Sequence, residues 1–67
     1  MANPRSAHLN YLASRKLAGQ LEHEIDWLER QVSELHGTEE KLDFALLQTY
    51  KEMIFSRKQM LTEIRGR

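Results

Sequence analysis

Leu35-His36-Gly37-Thr38-Glu39-Glu40 is the stretch that divides this chain. Gly37 can take the left-handed conformation that stops a helix. Thr38 can then cap a second helix, and Glu39 and Glu40 suit the positive end of its dipole. The order predicts one helix ending at His36 and another beginning at about Glu39. A connection this short makes the two helices antiparallel neighbours.

Toward the N-terminus, Asn3-Pro4 is a start signal, with Asn as cap and Pro in the first turn; Ser6 is the alternative cap. From there to His36 only Gly19 weakens the helix, by about 1 kcal/mol relative to Ala. Tyr11, Ala18, Ile25 and Val32 fall seven apart, and so do Ser14, Leu21, Leu28 and Leu35, offset by three. That is the a/d pattern of a packed helical seam. Its first half is lean and its second half bulky, so the seam tapers.

Toward the C-terminus the second helix runs to about Arg65. One apolar row is Leu46, Tyr50, Met53, Met60 and Ile64; another is Leu47, Ile54 and Leu61, with Phe44 and Phe55 alongside. Together they form a face wider than a two-stranded seam requires. The short turn sets Leu35 opposite Leu42, Leu28 near Thr49 and Met53, and Ala18 near Met60. The first row is then satisfied within the hairpin, and Leu47, Ile54 and Leu61 are left for an intermolecular face.

The expected architecture is all-α: one domain, residues 1–67, folded as an antiparallel two-helix hairpin with helices at about 4–36 and 39–65. Sixty-seven residues without a cysteine rarely build a self-sufficient core, so a partner is expected. The expected dimer or partner interface comprises Leu21, Ile25, Leu28, Val32, Leu46, Leu47, Tyr50, Met53, Ile54, Arg57, Met60, Leu61 and Ile64. Lacking an apolar run of membrane length or a signal-peptide pattern, the chain reads as cytoplasmic, with no membrane partner.

Net charge is zero, but the charges are segregated. Residues 1–20 and 55–67 together carry +6, and residues 21–54 carry −6. In a hairpin this becomes a basic open end and an acidic turn end. Antiparallel packing of two hairpins matches opposite ends, whereas parallel packing sets like charges together. An antiparallel, twofold-symmetric four-helix bundle is therefore expected. In size and topology such a dimer resembles the Rop family of hairpins that bind paired RNA loops, a likeness without a shared motif.

Four features are candidates for function. Arg57 interrupts the apolar face of the second helix, and Glu22 or Glu24 is placed to pair with it, unless its stem covers the seam and its head reaches water. Trp27 lies outside the seam and reads either as a partner anchor or as a residue buried by a second protomer. Arg5, Arg15, Lys16, Arg57, Lys58 and Arg65 form a candidate basic patch for nucleic acid; near it Leu9, Leu12 and His8 lie on a stretch overhanging the second helix. His8, His23 and His36 have no ligand partner at helical spacing, so no metal or other cofactor is expected.

No phosphate loop, nucleophile motif or carboxylate dyad is present, and a hairpin offers little concavity for a small-molecule substrate. The expected function is a non-enzymatic protein–protein interaction module, a dimeric hairpin acting as adaptor, inhibitor or chaperone of a larger protein. The alternatives are a small RNA- or DNA-binding regulator and a structural subunit of a larger assembly.

Overall fold

The structure is a computed structural model that describes residues 4–37 and 43–66, with side chains described from His8 onward. Helix α1 spans Pro4–His36 and helix α2 spans Phe44–Arg65, 33 and 22 residues respectively. At 1.5 Å per residue they are about 50 and about 33 Å long. They pack against each other as a helical hairpin. α1 begins at Pro4 as the sequence indicates; the Asn3 cap lies outside the described residues.

The join differs from the expected one. The Gly37 amide donates to the carbonyl oxygens of Ser33 (3.0 Å) and Glu34 (3.1 Å), so the backbone continues the last turn of α1. Gly37 does not enter the left-handed region, and no described residue has a positive φ. α2 begins at Phe44 rather than near Glu39. Asp43 is its cap, extended at φ −83° and ψ 95°, and its carboxylate accepts from the Leu46 amide at 2.9 Å. Asp is a stronger cap than Thr, and this bond satisfies one of the amides a helix start leaves open. The proposed Thr38 cap and the dipole role of Glu39 and Glu40 lie outside the described residues. The first turn of α2 contains no acidic residue.

The row of α2 that faces α1 also differs from the expected one. The buried core is Leu21, Ile25 and Leu28 from α1 with Leu47 and Leu61 from α2. Ala18, Ile54 and Ile64 pack around the cluster of Leu21, Ile25 and Leu61. The row Leu47, Ile54, Leu61, assigned from sequence to an intermolecular face, is therefore the intramolecular one. Leu46 and Met60, assigned to the hairpin interior, are 38% and 41% exposed, against 6% for Leu47. A shift of one residue rotates a helix by about 100°, enough to exchange two adjacent rows.

On α1 the seam lies where its heptads place it. Leu28, at 2%, is the most buried side chain, while Val32 and Leu35 are half-buried. Tyr11 and Ser14 are exposed, and Ala18 is the first seam position covered by α2. Residues 8–17 extend beyond the packed region as an overhang.

Candidate interaction surface

The packed line divides the hairpin into two flanks. On α1, Leu17, Gln20, Glu24 and Trp27 each precede a core residue (Ala18, Leu21, Ile25, Leu28) by one position. Glu22 and Glu29 each follow one. Successive helical residues turn by about 100°, so these sets project to opposite sides. The same offset operates on α2, where Leu46, Met53 and Met60 each precede a member of the row Leu47, Ile54, Leu61.

One flank is charged. Arg65 pairs with Glu22, and the Lys58 ammonium lies 3.9 Å from Glu29. Phe55 and Phe44 are exposed on this side of α2. Beside its C-terminus a shallow groove is lined by Tyr11, Ser14, Arg15, Gly19, Glu22 and Ile64, among others. The Arg15 guanidinium sits over the Tyr11 ring, 5.9 Å from its centre, within cation–π range.

The other flank is more apolar, with Gln20 and one ion pair among its polar members. Arg57 Nε donates to Glu24 Oε2 at 2.6 Å, and its Nη1 donates to the Met53 carbonyl at 3.4 Å. The Arg57 side chain is 26% exposed, so the guanidinium is held against the helices. One turn away the Trp27 and Tyr50 rings meet edge to face, with centroids 6.2 Å apart and planes at 84°. Such a pair contributes about 0.5–1.5 kcal/mol beyond its burial, yet Trp27 remains half exposed. Leu17, Leu46 and Met60 are exposed on the same side.

The residues assigned to an interface from sequence thus separate into two groups. Leu21, Ile25, Leu28, Leu47 and Leu61 are buried in the hairpin's own core, with Ile54 and Ile64 packed beside them. Leu46, Met53, Met60, Tyr50 and Arg57 line the apolar flank, while Val32 is half-buried. The candidate basic residues fall into two sets. Arg57, Lys58 and Arg65 are drawn to Glu24, Glu29 and Glu22 on α1, leaving Arg15 and Lys16 on the overhang. The Arg5 side chain lies outside the described residues.

The two charged-flank pairs were not anticipated. Their signal was the spacing of Glu22 and Glu29, seven apart like Lys58 and Arg65, which presents both sets on matching sides of an antiparallel pair. Among the described residues no cluster of three or more His, Cys, Asp and Glu is placed to hold a metal ion. None of the described helices is long and apolar enough to cross a membrane. The chain matches no protein-family model, no curated protein and no solved structure.

Proposed function

We propose that this chain is a non-enzymatic protein–protein interaction module: a small helical hairpin that associates as an antiparallel four-helix bundle and acts as adaptor, inhibitor or chaperone of a larger protein. One observation carries the reading. Among the described residues five large apolar side chains are buried and nine are exposed. Exposed apolar residues scattered singly mean little, but Leu17, Trp27, Leu46 and Met60 stand exposed along one flank of the two helices, and a grouped apolar surface of this kind supports an interaction site. A core of five side chains is also small for a stable domain.

The alternative of a nucleic-acid regulator is weakened by the ion pairs, because three of its six candidate cations are engaged by α1 carboxylates. Affinity capture with the tagged full chain from cells that naturally express it tests the choice. The expected result is a specific protein retained by the wild type and lost with Trp27→Ala. Salt-dependent retention of RNA or DNA, lost when Arg5, Arg15 and Lys16 are changed together, would replace this reading with the regulator.

A further inference from the structure

We draw no further inference here: the strongest candidate, the exposed apolar flank of Leu17, Trp27, Leu46 and Met60 beside the Glu24–Arg57 pair, belongs to the surface already described, and nothing in the structure shows what covers it.

Discussion

The two flanks of this hairpin are built on the same helices and separated by one position in the heptad, yet they do different things. The residues that follow the core line are Glu22 and Glu29, matched by Lys58 and Arg65, and they close that side with ion pairs. Of the residues that precede it, Leu17, Trp27, Leu46, Met53 and Met60 are apolar, and Gln20 and the Glu24–Arg57 pair are the polar members of that side. The charged flank can remain in water, whereas the exposed apolar side chains of the other flank cost free energy until they are covered. Under the proposed association, that second flank is the one a partner covers.

The largest effect should come from the line that both flanks share. Leu28→Ala should lower stability by about 2–5 kcal/mol, read from the urea midpoint at fixed chain concentration. A loss below about 1 kcal/mol would mean that the core is not where the burial places it. Next, Asp43→Ala should cost about 1 kcal/mol through loss of the α2 cap, without altering self-association beyond that loss. Thr38→Ala should cost less, a direct comparison of the two candidate starts.

Gly19→Ala should stabilise by up to about 1 kcal/mol, because nothing lies within 4 Å of the added methyl group. A decrease in melting temperature would show the groove beside it to be tighter than it is here. The smallest effects separate the ion pairs. Glu24→Gln should cost up to about 1 kcal/mol, and Glu29→Gln near zero, since Arg57 is held at 2.6 Å and Lys58 reaches 3.9 Å from a more exposed position. Raising the salt should erase the second effect before the first. Equal costs would remove the distinction between the flanks.

Much of the fold was legible because it rests on periodicity. The α1 heptads run without interruption, so Leu21, Ile25 and Leu28 could be placed on one line, and antiparallel pairing offered Glu22 or Glu24 as a partner for Arg57, of which the structure selects Glu24. The phase of α2 was not legible. It depends on where that helix starts, and two capping residues, Thr38 and Asp43, compete within six positions. Placing the turn around Gly37 and Thr38 set Leu35 opposite Leu42, and that register exchanged Leu47, Ile54 and Leu61 with Leu46, Met53 and Met60. The partners of the basic side chains were hidden for a related reason. Counting charges by segment placed Arg57, Lys58 and Arg65 at an end, whereas the packed register sets them beside Glu24, Glu29 and Glu22. The excess of apolar surface survived the exchange, because it depends on the number of rows and not on which one faces inward.

The concentration dependence of thermal unfolding tests the central claim most directly, namely that association completes this hairpin. Followed by Trp27 emission from about 1 to about 100 μM chain, the midpoint should rise steadily with concentration, because a partner that binds only the folded state stabilises it by mass action. The folded-state emission should shift to the blue over the same range as the half-exposed indole becomes covered. A midpoint independent of concentration, with Trp27 emission unchanged, would contradict the account.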